Sequence, residues 1–159
     1  MQQAYRNGFT LIELMITVAI VALLATVAMP LTSLTLQRTK EQELHYSLQQ
    51  IREAIDLYRR AVEEKHIKAA SDESGYPKSL DILVEGVEDE LSPVKSKIYF
   101  LRRIPRDPFS PDSKATAEAT WGKRSYKSSA EDPQEGEDVF DIYSFAAGKG
   151  LNGIPYKEW

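Results

Sequence analysis

The 159 residues suit one domain plus an anchor. Cysteine is absent, which excludes disulfides and thiol chemistry but leaves the compartment open, since a reducing cytosol and an exported fold without disulfides both fit. A net charge of −4 weighs against a nucleic-acid binder.

The chain opens with a polar leader, MQQAYRN, followed by Gly8 and an apolar stretch over residues 9–31 that holds one carboxylate, Glu13. At 1.5 Å per residue this stretch covers about 35 Å as a helix, enough to cross a bilayer. An unpaired carboxylate at the centre of a spanning helix costs roughly 2.5–3.5 kcal/mol, so Glu13 needs a reason. Cutting after the small residue Gly8 supplies one. Phe9 then carries a free amine about one helical turn from Glu13, and the acid can pair with that amine or with a neighbouring subunit's. An ordinary secretory signal is cut after its apolar region, whereas here the candidate site precedes it and the helix is retained. The alternative is a plain membrane anchor in which Glu13 is incidental. Arg6 and the lack of acids in the leader favour a cytoplasmic N-terminus.

Pro30 falls near the end of the stretch, four residues after Thr26. Proline removes a helical hydrogen bond and crowds the preceding turn, so this is either a kink or the membrane exit. Beyond it, Leu44, Leu48, Ile51, Ile55, Tyr58 and Val62 recur at alternating steps of four and three, the apolar stripe of an amphipathic helix. Glu41, Gln49, Gln50, Arg52, Glu53, Arg59 and Arg60 cover much of the rest. Span and amphipathic helix together would run over residues 9–66, roughly 87 Å, which suggests a stalk with a head at one end. The helix is expected to stop within residues 68–75.

Tyr76-Pro77 suits an extended turn, and Ser79 is a candidate cap for a short helix through Val84. Residues 85–96 are acidic and read as a surface loop. Pro105 and Pro108 argue against a central strand over residues 98–109. Residues 121–127 and 139–145 carry strand-favouring side chains, and period two puts Phe140 and Ile142 toward the helix. With a short third strand they would form a small antiparallel sheet on the helix stripe, since a lone hairpin is marginal. The expected class is α+β, a long N-terminal helix packed against a small antiparallel sheet.

The segment Gly8-Phe9-Thr10-Leu11-Ile12-Glu13-Leu14 resembles the class III signal of type IV pilins and type II secretion pseudopilins. The resemblance implies cleavage between Gly8 and Phe9 by a prepilin peptidase, N-methylation of Phe9, and a role for Phe9 and Glu13 in assembly. Pro30, as a kink or melting point, would let the subunit lengthen as it joins a filament. A second stretch sharpens the resemblance. Tyr76-Pro77, then Leu80 and Leu83, then Leu101-Arg102-Arg103-Ile104-Pro105-Arg106-Asp107-Pro108-Phe109, is similar to the major, G-type pseudopilin. That segment would be a rigid loop anchored by Ile104 and Phe109, its arginines serving solubility or a subunit contact.

The organisation implied is a leader over residues 1–8, a transmembrane and filament-core helix over 9–31, an amphipathic helix over 32–67, and a periplasmic head over 68–159. The implied function is a structural subunit of the type II secretion pseudopilus in the bacterial inner membrane. Its partners would be copies of itself, the prepilin peptidase, minor pseudopilins, the assembly platform and lipid, but not nucleic acid. A type IV pilus pilin for adhesion, motility or DNA uptake is the alternative, and a membrane-tethered binding module or enzyme a third reading. G-type pseudopilins bind calcium after the last strand. Here residues 146–156 offer Asn152 and carbonyls but no carboxylate, so no metal site is expected, and Lys149 is a candidate to bond the loop carbonyls instead. No catalytic constellation is legible. His45 and His66 read as surface residues, and Glu63-Glu64 and Glu131-Asp132 as solvated pairs.

Overall fold

The computed structural model describes residues 9–70 and 73–159, for residues 27–31 the backbone only. Helix α1 runs over Leu11–Glu63, α2 over Asp81–Glu85. Four short strands follow: β1 Val87–Glu88, β2 Lys97–Ile98, β3 Trp121–Arg124 and β4 Asp141–Ser144. Short 3₁₀ turns lie at Glu118–Thr120 and Tyr156–Glu158. The chain divides into two compact units, one ending at Thr39 and one spanning Lys40–Trp159.

In the second unit the expected stripe is the core. Leu44, Leu48, Ile51 and Ile55 are each no more than 1% exposed. They meet Leu80, Leu83, Leu101, Trp121, Val139, Ile142 and Tyr156. Toward the helix end the apolar face drifts, because 3.6 residues per turn does not match a strict four-three alternation. Ala54 and Ala61 join the buried set, while Tyr58 and Val62 are only half-buried.

The α+β class holds, with differences in detail. β3 and β4 pair antiparallel, Trp121 opposite Ser144 and Arg124 opposite Asp141, and no third strand joins them among the described residues. Helix α1 supplies the cover that a third strand would have given. Ile142 and Ser144 point into the core, whereas Phe140, expected beside them, is half-buried in an aromatic cluster with Tyr76 and Tyr126. Gly122 is opposite Tyr143, whose ring lies where a side chain at Gly122 would sit. The acidic stretch read as a loop contains β1, which pairs with β2 through Val87 opposite Ile98. Ser79 does not cap α2. Leu80 occupies that position, and its N–H donates to Glu118 Oε1 at 3.2 Å instead.

Helix α1 stops earlier than expected. Lys65 takes a left-handed φ of 65°. Its N–H bonds Val62 O at 3.0 Å and the His66 N–H bonds Ala61 O at 2.9 Å, the paired bonds of a Schellman ending. Ile67 is then buried and fixes the exit. A left-handed conformation is strained for a residue with a Cβ. Lys65→Gly is expected to raise stability by about 0.5–1 kcal/mol, the strain relieved minus the entropy glycine loses on folding. Thermal unfolding of the two proteins checks this, and an unchanged or lower Tm would contradict it.

Candidate functional site

Phe9 and Thr10 precede α1, and Thr10 is its cap. The Thr10 hydroxyl accepts the Glu13 N–H at 3.3 Å, and the Thr10 carbonyl accepts the Leu14 N–H at 3.1 Å. Threonine followed three residues later by glutamate is the capping-box pattern. Glu13 therefore sits in the first turn, where a carboxylate also complements the helix dipole. That local role is legible in the Thr10–Glu13 spacing alone. The acid sits in the first turn of the helix, not part-way along it. Gly8 lies outside the described residues, and with it the cleavage point.

Apart from Glu13 and Thr17, the first turns of α1 carry apolar side chains. Large side chains from Leu11 to Leu24 are between 52% and 79% exposed, and Phe9 is 82% exposed. A helix apolar all round belongs inside a core or a membrane. Among the described residues no helix is long and apolar enough to cross a membrane. The apolar sequence continues through residues 27–31, whose side chains are not described. Pro30 lies among these. The backbone there is helical, so Pro30 is inside α1 and not at its end.

The proline-bracketed segment is held by a buried acid. Asp107, 4% exposed, accepts the Ser144 hydroxyl at 2.5 Å and the Phe109 N–H at 2.8 Å. Its own N–H donates to Thr120 Oγ1 at 3.2 Å, and the Trp121 indole N–H donates to Pro105 O at 2.8 Å. Ile104 and Phe109, expected as buried anchors, are half-buried and pack against the core edge. Among the arginines, Arg106 staples the following loop through Ala115 O and Asp112 O, while Arg102 and Arg103 stay exposed. All three line a groove of about 1020 Å³ whose other wall includes Glu43, Tyr46, Ser47 and Gln50 of α1.

A second buried acid holds the tail loop. Glu41 is 9% exposed, and its Oε1 accepts the Leu151 N–H at 3.0 Å and the Tyr156 hydroxyl at 2.9 Å. Lys149 does not do this. It is exposed, and only its backbone is engaged, bridging Pro155. Glu41 precedes Leu44 by three residues and Leu48 by seven, which places it on the buried stripe; that spacing was the available signal. Asp141 is a third anchor. It accepts from Arg52 at 2.8 Å and Arg124 at 3.1 Å, and Arg52 also reaches Ile142 O and Trp159 O.

The acid pairs and histidines singled out in the sequence do not gather into one site. Glu63, Glu64, Glu131 and Asp132 are exposed. His45 is exposed, its ring 5.3 Å from that of Trp159. His66 is half-buried and not a free surface residue. Its Nδ1 lies 2.9 Å from Asp89 Oδ1 and ties the end of α1 to the β1–β2 hairpin. Among the described residues no three acids or histidines are grouped to hold a metal ion.

Comparison with known proteins adds two findings. Residues 3–29 match the family model for the prokaryotic N-terminal methylation motif. The long N-terminal helix packed with a small antiparallel sheet is a type IV pilin-like arrangement, and the matched motif is the one that prepilin-type proteins carry. The chain is also similar to the type II secretion system core protein G of Klebsiella michiganensis, 24% identical over 142 residues that cover 87% of this chain and 92% of that protein. Motif and near-full-length similarity together support a major pseudopilin. No solved structure matches the chain significantly.

Two outcomes are expected for these anchors. Asp107→Ala orphans the Ser144 hydroxyl and the Phe109 N–H, at about 1–3 kcal/mol for each buried donor left unpaired. Chemical denaturation should show that loss, and a change under about 0.5 kcal/mol would mean the acid is dispensable. The hydrogen bond from His66, then that from the Leu91 N–H, holds the Asp89 carboxyl below its ordinary range. A carboxylate with a lowered folded-state pKa adds stability that is present above the unfolded value of about 3.9 and is lost as pH falls through the folded value. Carboxyl-carbon NMR should therefore give Asp89 a midpoint below that of an unfolded aspartate, and Asp89→Asn should flatten this part of the acid limb of stability.

Proposed function

We propose that this chain is a structural subunit of the type II secretion pseudopilus, not an enzyme. One observation carries the reading. An all-round exposed apolar helix starts at a capped first turn that contains a single carboxylate, Glu13. Such a helix is unsatisfied in an isolated chain, and lipid first and neighbouring copies later would cover it. Cleavage between Gly8 and Phe9 by a prepilin peptidase would leave 19 basic against 24 acidic residues, and the new Phe9 amine adds one positive charge beside the helix start. After N-methylation that amine is still a cation, so Glu13 of one subunit can pair with Phe9 of the next within the apolar filament core. Pro30 would loosen the helix as the subunit leaves the membrane. The helix anchors the chain in the bacterial inner membrane, single-pass, with the unit beyond Thr39 in the periplasm. Minor pseudopilins and the assembly platform complete the partner set. No observation favours a pilus subunit.

The test is complementation of a deletion strain with wild type or Glu13→Gln, scored for secretion, surface pili and sheared filaments. Glutamine serves a capping box as glutamate does, so the helix start is kept and only the charge is removed. Leaving one partner of a buried ion pair alone costs about 3–5 kcal/mol. Glu13→Gln is thus expected to insert and be processed, yet to form almost no filaments and not to restore secretion. Normal filaments from Glu13→Gln would remove Glu13 from assembly. Lost pili with intact secretion would overturn the pseudopilus reading.

A further inference from the structure

We infer that the tail loop over residues 148–156 closes on α1 without calcium, with the Glu41 carboxylate making the contact that a metal ion would otherwise organise. The family to which the chain is similar implies calcium at this place, and the residues present do not fit it. Calcium takes six to eight oxygens, usually with carboxylates among them. Several of the loop's oxygens already accept hydrogen bonds within the tail. The Gly150 carbonyl accepts the Gly153 N–H, the Ile154 carbonyl accepts the Gly150 N–H and the Trp159 indole N–H, and Asn152 Oδ1 accepts the Ile154 N–H. Asn152 is the loop's one side chain of the amide or carboxylate kind.

Among the described residues, a carboxylate oxygen of the helix reaches the loop: Glu41 Oε1 accepts the Leu151 N–H and the Tyr156 hydroxyl. It thereby faces N–H and O–H groups, the opposite of what a cation's ligand sphere presents. Tyr156 is 4% exposed and packs on Phe109 at 4.4 Å between ring centroids, so its hydroxyl must be paired on burial. Glu41 meets that need and pins the loop in the same contact. The folded unit would then be independent of divalent cations. This inference concerns the loop's closure and stands apart from the assembly role of Glu13.

The test uses the full-length chain in detergent, with amide exchange at Leu151 and Tm read in excess calcium chloride and then in EDTA. In wild type both should be the same under the two conditions. Glu41→Ala should speed Leu151 exchange by about 10–100-fold, as expected when a buried donor loses its partner, and calcium should not restore it. Glu41→Gln keeps a neutral acceptor and should speed exchange by only about fivefold. It decides the matter if the alanine variant does not fold. A calcium-dependent rise in Tm or slowing of exchange in wild type would overturn the inference. So would Leu151 exchange that Glu41→Gln and any folded Glu41→Ala both leave unchanged.

Discussion

The unit beyond Thr39 depends on one packing constraint. A two-stranded ribbon cannot hold itself together in water, and β3–β4 is only four residues long in each strand. It persists because Ile142 and Trp121 are pressed against Leu44, Leu48, Ile51 and Ile55 of α1. The connecting segments hang on this contact. The proline-bracketed loop is tied to Ser144 at the end of β4, the Arg52–Asp141 pair joins helix to strand, and the tail loop is tied to Glu41 on the helix. Each of the last two ties runs from a polar residue of α1 to a group 89 or 110 residues further along the chain.

That arrangement explains how so little regular structure can be ordered. Most of the second unit is loop, and loop backbone must find partners when it is buried. Carboxylates supply some of them, from buried Asp107 and Glu41 and half-buried Asp141. Asp107, Glu41 and Asp141 each accept more than one hydrogen bond, and none of the buried side-chain nitrogen or oxygen atoms among the described residues lacks a partner. In a chain without cysteine, these multivalent acceptors do the fastening that a disulfide could do elsewhere.

The N-terminal unit poses the converse problem. Its residues satisfy their backbone within the helix and leave their apolar side chains without cover. The capped first turn sets Glu13 at the one end of the helix where a carboxylate is locally favoured, so a charge can be carried in an apolar segment with less penalty than at its centre.

The long periodic features were legible in the residues alone. The apolar stretch with Glu13, the Leu44–Leu48–Ile51–Ile55 spacing, the strand alternation around Ile142 and the disruptive prolines are all local patterns, fixed by helix and strand periods and by the covalent geometry of proline. Tertiary structure alone decided that Glu41 and not Lys149 holds the tail loop. The same is true of Asp107 as the buried acid that fastens the proline segment, of His66 meeting Asp89, and of α1 standing in for a third strand. Those outcomes depend on which groups meet across separations of 23 to 115 residues. Hydrophobic period states which face is buried, but not which polar group at the rim of that face will find a donor opposite it.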